Sequence, residues 1–300
     1  MMGGQVNTNL NYVYTSAFKD IYNHTKASDI THSTLATPIT SLDAVSNDVK
    51  SKYIVTKQIL NAFNSLGIDT LSFSTDHMLD FGNDVLKNTI SLVKENDIYI
   101  SGLKDSTVFI EKNNKKIAII STTDVILGTK SNFNSAGINV YEANKLKLEI
   151  ANAKENADMV IVDIHWGREY VYGVTEQMKQ IAKFVVDSGA NLVTGSHAMG
   201  TYPIITYKDV PIIYSTGYLM TDSDLNLDKE GFIYDININN DLKIESIELI
   251  PTYVTDKKQV KYYYNYDKVK SDTYLMQMNN WQLQNGLNSK VINNLIKIEF

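Results

Sequence analysis

The run Asp163-Ile164-His165-Trp166-Gly167-Arg168-Glu169-Tyr170 directly follows Met159-Val160-Ile161-Val162, whose four apolar residues are typical of a buried strand. This order places His165 just past the carboxyl end of the strand, where α/β proteins put binding and catalytic residues. Further along, Gly195-Ser196-His197-Ala198-Met199 follows a second apolar strand pattern at residues 191–194. The two histidines therefore indicate a functional site built from strand ends.

Helix and strand patterns alternate through the first two thirds of the chain, and strand patterns dominate near residues 205–250. Apolar residues recur at helical spacing in residues 57–66, 84–95, 141–154 and 175–187. Strand patterns occupy residues 68–73, 98–100, 107–121 (a hairpin), 232–238 and 244–250. The mixture predicts an α/β protein in which helices cover a sheet and an antiparallel layer is added. The polar residues 255–280 are expected to be peripheral, and a helix-like end is expected around residues 291–296.

The composition excludes several classes of protein. The formal net charge of −6 argues against a nucleic-acid binder. The chain has no cysteine, so it has neither a disulfide framework nor a thiolate metal ligand. No run of apolar residues approaches the length of a transmembrane helix. These features fit an ordinary globular protein whose metal ligands, where present, are histidines and carboxylates.

Three motifs resemble those of the CapA/PgsA family, which are capsule and poly-γ-glutamate synthesis proteins. Residues 165–170 match the family's His-Trp-Gly-x-Glu-Tyr without departure. The segment Asp76-His77-Met78-Leu79-Asp80-Phe81-Gly82 resembles Asn-His-x-x-Asp-(Tyr/Phe)-Gly, and Tyr214-Ser215-Thr216-Gly217 resembles Tyr-Ser-(Leu)-Gly. The resemblance implies a metallophosphatase-like fold, a four-layer α/β/β/α sandwich.

The resemblance also implies a division of the chain. Residues 1–255 correspond to the CapA-like metallophosphatase-fold domain, and residues 256–300 to a C-terminal extension packing on the same domain. The opening Met1-Met2-Gly3-Gly4 resembles the residues that come after a Gly-Asp pair in the family's first motif. We therefore expect the N-terminal strand to be truncated, with its metal-binding aspartate and a membrane anchor lying upstream.

The resemblance assigns roles to particular residues. Asp76, His165 and His197 correspond to metal ligands, and His77 to a catalytic acid or oxyanion partner. Asp80 is expected to cap the next helix and to orient His77 from behind. Glu169 is expected to orient the loop that follows His165. The implied cofactor is either one divalent metal ion (Mn, Zn or Fe) or none.

Several residues of the family pattern are missing, which divides the expected site in two. The family's glutamate in Asn-(Leu/Phe)-Glu aligns with Ala36, its second His-Pro-His histidine with Met199, and its final asparagine with Tyr218. Methyl and thioether groups are poor ligands for hard or borderline cations. One metal position is thus expected to survive and the other to be lost, whereas two-metal phosphoryl transfer requires both ions.

The resemblance implies a cell-surface protein for poly-γ-glutamate or capsule polymer synthesis or export. The implied location is the extracellular face of a bacterial membrane, with a membrane-embedded polymer synthesis complex and an anionic polymer as partners and no nucleic acid. One hypothesis is a binding or assembly subunit with a degenerate metal site. The alternative is an active metal-dependent hydrolase acting on phosphoester or amide bonds of envelope polymers. A third is a cytosolic metallophosphoesterase unrelated to capsule.

Overall fold

The computed structural model describes residues 1–7, 14–41, 53–127, 130–168, 171, 173–198, 200–221 and 225–300. Over these residues it is a mixed α/β protein, as the alternation of patterns predicted. The strands are β1 (Met2–Asn7), β2 (His32–Leu35), β3 (Ile39–Thr40), β4 (Val55–Thr56), β5 (Thr70–Ser72), β6 (Tyr99–Ser101), β7 (Val108–Lys112), β8 (Lys115–Thr123), β9 (Met159–Trp166), β10 (Leu192–His197), β11 (Ile204–Tyr207), β12 (Val210–Ile213), β13 (Tyr218–Thr221), β14 (Glu230–Ile238), β15 (Ile244–Val254), β16 (Val260–Tyr262), β17 (Asn288–Ile292) and β18 (Leu295–Glu299).

The helices are α1 (Tyr14–Ala17), α2 (Tyr22–Lys26), α3 (Ile59–Leu66), α4 (Asn83–Lys94), α5 (Lys130–Ala136), α6 (Ala143–Asn156), α7 (Glu176–Ser188), α8 (Asn226–Lys229), α9 (Tyr263–Tyr266) and α10 (Lys268–Gln284). A 3₁₀ helix covers Asp76–Leu79. In the part of the chain that the structure describes, no helix has the length and apolar character needed to cross a membrane.

Two large sheets organise the described residues. One has the strand order β11-β12-β10-β9-β8-β7, with β8, β9, β10 and β12 parallel to one another. The other follows the path β17-β18-β15-β14-β1-β2-β5-β6, with β13 added on β1 and β16 on β15. The carboxyl ends of β9 and β10 therefore lie side by side, because parallel neighbours end at the same edge of a sheet.

Alternation along the strands separates two cores on the six-stranded sheet. Val160 and Val162 of β9 belong to a cluster with Ile150 of α6 and Ile181 of α7. Ile161, on the opposite face, belongs to a different cluster, together with residues of β14, β15 and β18 such as Phe232, Ile247 and Ile298. A third cluster packs α3 and α4 against β5. One face of the six-stranded sheet thus contacts helices, and the other faces the ten-stranded sheet.

The C-terminal region differs from the sequence-based expectation. Residues 288–299 form the hairpin β17–β18, which pairs with β15, and the helix predicted near residues 291–296 is wrong. The two turn residues Asn293 and Asn294 have φ of 50° and 64°, the left-handed conformation that two-residue hairpin turns require and asparagine tolerates. The pair is thus a hairpin signal. Residues 268–284, expected to be peripheral, form the helix α10.

The start of α4 corrects a smaller expectation. Its N-cap is Gly82, and no side chain caps the helix. The prediction that Asp80 caps this helix is therefore wrong, because the Asp80 carboxylate turns toward a ring instead: its Oδ2 lies 2.9 Å from His77 Nδ1.

Candidate metal centre

His165 owes its position to the alternation of β9. Ile161 lies on the face between the two sheets, so Asp163 and His165, two and four residues later, lie on that face as well. His165 is 1% exposed although it is one residue from the end of the strand. The strand therefore delivers an imidazole into a buried space at the carboxyl edge of the sheet.

His197 reaches the same place through an unusual backbone. Simple alternation would put it on the helix-facing side of β10, with Val193. Its φ of 76° breaks the extended geometry, and its ring centroid lies 4.7 Å from that of His165. A non-glycine residue in this region costs of order 1–3 kcal/mol, and such residues cluster at functional sites. The fold holds His197 in a strained conformation that brings the two rings together.

Asp76 is carried by the segment after β5, which Ser74 anchors. The Ser74 hydroxyl lies 2.8 Å from the carbonyl of Gly102, 3.2 Å from that of Ser121 and 3.2 Å from that of Asn139. These contacts tie the end of β5 to three other segments. They fix the point from which the 3₁₀ helix Asp76–Leu79 starts, and with it the position of the Asp76 carboxylate.

The structure brings together the three residues predicted as ligands. Asp76 Oδ1 lies 2.9 Å from His165 Nε2, and Asp76 Oδ2 lies 3.9 Å from His197 Nδ1. One ligand atom from each residue lies within 4.8 Å of the others, and all three residues are buried. Two imidazole nitrogens and a carboxylate oxygen suit borderline divalent ions such as Zn²⁺. The group can therefore bind a metal ion.

The electrostatic environment keeps His197 and Asp76 in the protonation states that bind a metal ion. Burial, together with the nearby His165, lowers the pKa of His197 to about 4, so this ring is neutral at pH 7 and offers a lone pair. Burial alone would raise the pKa of Asp76, but the hydrogen bond with His165 and the surrounding rings outweigh it and hold the pKa below its ordinary value. Asp76 is thus a carboxylate at neutral pH.

Ser196 is a residue of the site that the sequence reasoning did not assign. Its Oγ lies 2.9 Å from His165 Nδ1. When Nδ1–H donates to this hydroxyl, Nε2 is the ring atom that offers its lone pair to a metal ion, whereas without the ion the 2.9 Å contact of Nε2 with the Asp76 carboxylate requires a proton on Nε2. The alternation of β10, which puts Ser196 on the face of His165, is the signal that could have identified it.

His77, the predicted catalytic residue, lies at the edge of the group. Its Nε2 is 3.6 Å from Asp76 Oδ2, while its Nδ1 contacts Asp80 at 2.9 Å. The Tyr53 ring meets the His77 ring edge to face, with 4.8 Å between centroids. The Asp80 carboxylate thus contacts the His77 ring, and the orienting role of Asp80 and the catalytic role of His77 both stay predictions.

A second buried pair lies behind the cluster. Asp163 accepts a hydrogen bond of 2.8 Å from the Thr194 hydroxyl, and its Oδ2 lies 3.6 Å from His32 Nε2. His32 is 1% exposed and was not promoted to a ligand from the sequence. Its separation from Asp163 is an ion-pair distance, too long for a direct hydrogen bond. The pair adds a buried carboxylate on β9 itself, two residues before His165.

Trp166 fixes the carboxyl ends of β9, β10 and β12 to one another. Its Nε1 donates to the carbonyl of Tyr214 at 2.8 Å, and its ring stacks on Tyr214 with 5.5 Å between centroids. Gly195 makes this possible, because a Cβ there would stand 2.3 Å from Trp166 Nε1. The tryptophan next to His165 thus acts in packing.

Of the other residues singled out from the sequence, Ala36 and Tyr218 lie among the described residues. Glu169 and Met199 lie outside the described residues. Ala36 is fully buried and offers only a methyl group. Tyr218 begins β13, which pairs with β1. Among the described residues, the group of three side chains that can hold a metal is Asp76, His165 and His197.

These features define an α/β protein with a buried aspartate and two histidines at its strand ends. The family model for the bacterial capsule synthesis protein PGA_cap matches residues 1–223. The chain belongs to this family.

Curated relatives agree with the family. The capsule biosynthesis protein CapA of Bacillus anthracis is 27% identical over 258 residues, 80% of this chain and 62% of the relative. The PGA biosynthesis protein CapA of Bacillus subtilis (strain 168) is 27% identical over 206 residues, 66% of this chain and 54% of the relative. A probable polyglutamine synthesis accessory protein of Mycobacterium tuberculosis is 21% identical over 180 residues, 54% of this chain and 47% of the relative. The chain thus covers about half of the length of two of these relatives and less than two thirds of the third.

Proposed function

We propose that this chain serves poly-γ-glutamate or capsule polymer synthesis or export at the cell surface, and that it holds one divalent metal ion. The observation that carries the proposal is the buried group of Asp76, His165 and His197 in a member of the PGA_cap family. The names of two relatives, capsule biosynthesis protein and PGA biosynthesis protein, support capsule or poly-γ-glutamate as the polymer concerned. A location on the extracellular face of the membrane, beside a membrane-embedded synthesis complex, follows from that role.

In this proposal Asp76, His165 and His197 hold Mn²⁺, Zn²⁺ or Fe²⁺, which supplies Lewis-acid chemistry when bound. Ser196 keeps His165 in the coordinating tautomer. His77, with Asp80 behind it, is placed to exchange a proton or to donate a hydrogen bond beside the carboxylate.

The proposed architecture is the four-layer α/β/β/α sandwich of a metallophosphatase-like fold. Helices α6 and α7 on one sheet, helices α3 and α4 on the other, and the shared core between the sheets support it. We propose residues 1–255 as the domain and residues 256–300 as an extension on it. The pairing of β18 with β15 supports this attachment.

We propose a binding or assembly subunit rather than a two-metal enzyme. The buried methyl group of Ala36 supports this, since a second ion needs ligands of its own. The second candidate function, a metal-dependent hydrolase of phosphoester or amide bonds in envelope polymers, is favoured by one contact: His77 lies 3.6 Å from Asp76. A poised acid beside a ligand is a feature of catalysis rather than of assembly.

The first test measures metal per chain by mass spectrometry after incubation with Mn²⁺, Zn²⁺ or Fe²⁺ and desalting. The expected result is near one ion in the parent, none in His165→Ala, and an unchanged content in His24→Ala. His24 is the matched control, because it pairs with Asp235 away from the cluster. No metal in the parent would overturn the one-ion site.

The second test addresses the role in the cell. The native full-length gene, with and without His165→Ala, is expressed in a strain deprived of its own PGA_cap protein, and surface polymer is quantified. Restoration by the parent supports the capsule role, and failure by the parent contradicts it. Metal-dependent release of fragments from poly-γ-glutamate by the parent, lost in His77→Ala, would establish the hydrolase in place of the assembly subunit.

A further inference from the structure

A cavity of about 540 Å³ lies between α10 and the loops that follow β9 and β10. Gly173 and Val174 line it from the first loop, and Gly200 and Thr201 from the second. These loops directly follow the strands that carry His165 and His197. The loops that line the cavity thus continue from the strands of the candidate metal centre, whose three residues are not part of the lining.

The α10 wall of this cavity is aromatic and amphipathic. Trp281 is 38% exposed at the wall, Tyr274 is half-buried, and Met278 supplies an apolar floor. The Tyr274 hydroxyl is bound to Thr201 at 2.6 Å, which fixes the ring. An exposed tryptophan beside a fixed tyrosine gives a rigid surface on which the apolar face of a ligand can stack.

Two polar side chains that line the cavity can form hydrogen bonds with a ligand. The Gln277 side chain is exposed and makes no hydrogen bond among the described residues, so its amide offers a donor and an acceptor. Glu230 accepts a hydrogen bond of 2.7 Å from Tyr263 through Oε1, which leaves Oε2 able to accept another. Amide and carboxylate groups of this kind bind hydroxyl groups well.

The charges of the cavity disfavour an anionic polymer. Among the described residues that line it, Lys179 is the one cation, and the Lys179 ammonium is already 2.6 Å from the Glu176 carboxylate. Glu230 adds a partly buried carboxylate that would repel a polyanion. A chain of carboxylates would therefore lose solvation without gaining a paired cation.

We propose that this cavity binds an uncharged saccharide chain. The pyranose face would stack on Trp281, and hydroxyl groups would exchange hydrogen bonds with Gln277 and the free oxygen of Glu230. The volume lies in the ordinary range for ligand sites, roughly 300–1,000 Å³. Because α10 lies beyond residue 223, where the match to the family model ends, the proposed site depends on an element outside the matched region.

The inference is independent of the metal ion and of the capsule role. The proposed saccharide contacts involve none of the three candidate ligands, so its failure and that of the proposed function are distinguishable. Metal content per chain is measured on the same preparations and is expected to stay unchanged in every variant of this cavity.

The test follows tryptophan fluorescence during titration with two probes, the tetramers of N-acetylglucosamine and of glucose. The chain has two tryptophans, and Trp166 is fully buried, so a ligand-dependent change reports Trp281. We expect saturable binding of at least one tetramer by the parent. Calorimetry should show that Trp281→Ala binds the tetramer with an affinity roughly tenfold or more lower than the parent, because truncating an aromatic anchor removes much of the binding energy.

Two further variants keep the test decisive. Gln277→Ala changes an exposed side chain and leaves the fold intact, and it is expected to weaken binding of the same tetramer. Tyr99→Ala is the matched control. Tyr99 is 55% exposed on β6 and does not line the cavity, so its loss should leave affinity unchanged. Absence of binding by both tetramers would overturn the proposal. So would preferential binding of a γ-glutamyl tetramer or of tetramethylammonium, which would assign the cavity to an anion or a cation.

Discussion

Replacing His197 by glycine and by alanine separates the two roles of this residue, metal ligand and strained backbone position. Both substitutions remove the imidazole and leave nearly the same cavity between His165 and Asp76. They differ in the backbone, because φ at this position is 76°. We expect both variants to lose the metal ion, but His197→Gly to be the more stable apo protein.

The magnitude follows from the conformation. A left-handed backbone costs a non-glycine L-residue roughly 1–2 kcal/mol and costs glycine almost nothing. Glycine gives back about 0.4–1 kcal/mol through the greater entropy of its unfolded chain. At the midpoints of these two ranges, the free energy of unfolding should be about 0.8 kcal/mol higher for His197→Gly than for His197→Ala.

The assay is urea unfolding of both variants in the presence of a chelator, followed by circular dichroism. The neighbouring Ser196 in β10 provides the control: there the backbone is extended, and Ser196→Ala should be more stable than Ser196→Gly. An alanine variant at position 197 as stable as the glycine variant would refute the strain argument. Retention of one metal per chain by either variant would refute the assignment of His197 as a ligand.

Three further predictions concern metal affinity, the loop that carries the cluster, and pH. Ser196→Ala removes the hydroxyl facing the β9 histidine and should weaken metal binding about 10–100-fold, measured by competition with a chelator; an unchanged affinity would contradict its orienting role. Gly102→Ala should lower both stability and metal content, because a Cβ there would stand 2.4 Å from Ser74 Oγ at a φ of +85°; normal urea unfolding would contradict this. The ion pair of His24 Nε2 with Asp235 Oδ2, at 2.6 Å, raises the pKa of His24, so the stability from this pair is fully present below the unfolded pKa of about 6.5 and is lost as pH rises through the folded pKa. Asp235→Asn should flatten that part of the pH–stability profile, and an identical profile would refute the coupling.

The sequence pointed to the residues of the cluster through motifs that resemble those of the family, and the apolar pattern of residues 159–162 predicted that His165 lies near the end of a strand. The structure places His165 inside β9, one residue before its end, and the carboxyl ends of parallel strands meet at one edge. Hairpin turns are equally local: Asn113 and Asn114 are left-handed, as Asn293 and Asn294 are, and only the first pair was read correctly. The second was missed because Val291 and its neighbours were read as a helical pattern.

Helix α10 escaped prediction for a different reason. Its buried residues are Ser271, Leu275, Met278 and Gln282, two of them polar, so the apolar stripe that signals a packed helix is interrupted. The Gln282 side chain is satisfied by the backbone N–H of Ile204, at 2.9 Å and 78 residues away. The local sequence pattern does not reveal such a distant partner. It therefore could not reveal that α10 forms one wall of the cavity.

The sequence alone determined the α/β class and the charge that disfavours nucleic acid, because each depends on composition or on neighbours along the chain, and the resemblance of its motifs pointed to Asp76, His165 and His197 as candidate ligands. Only the tertiary structure decided that Asp76 and His165 meet, at 2.9 Å across 89 residues, that Ser196 contacts the His165 ring, and that His197 turns back toward it. These contacts depend on strand register and on a strained backbone angle. Both are set by the packing of the whole fold, since no single segment stabilises them by itself.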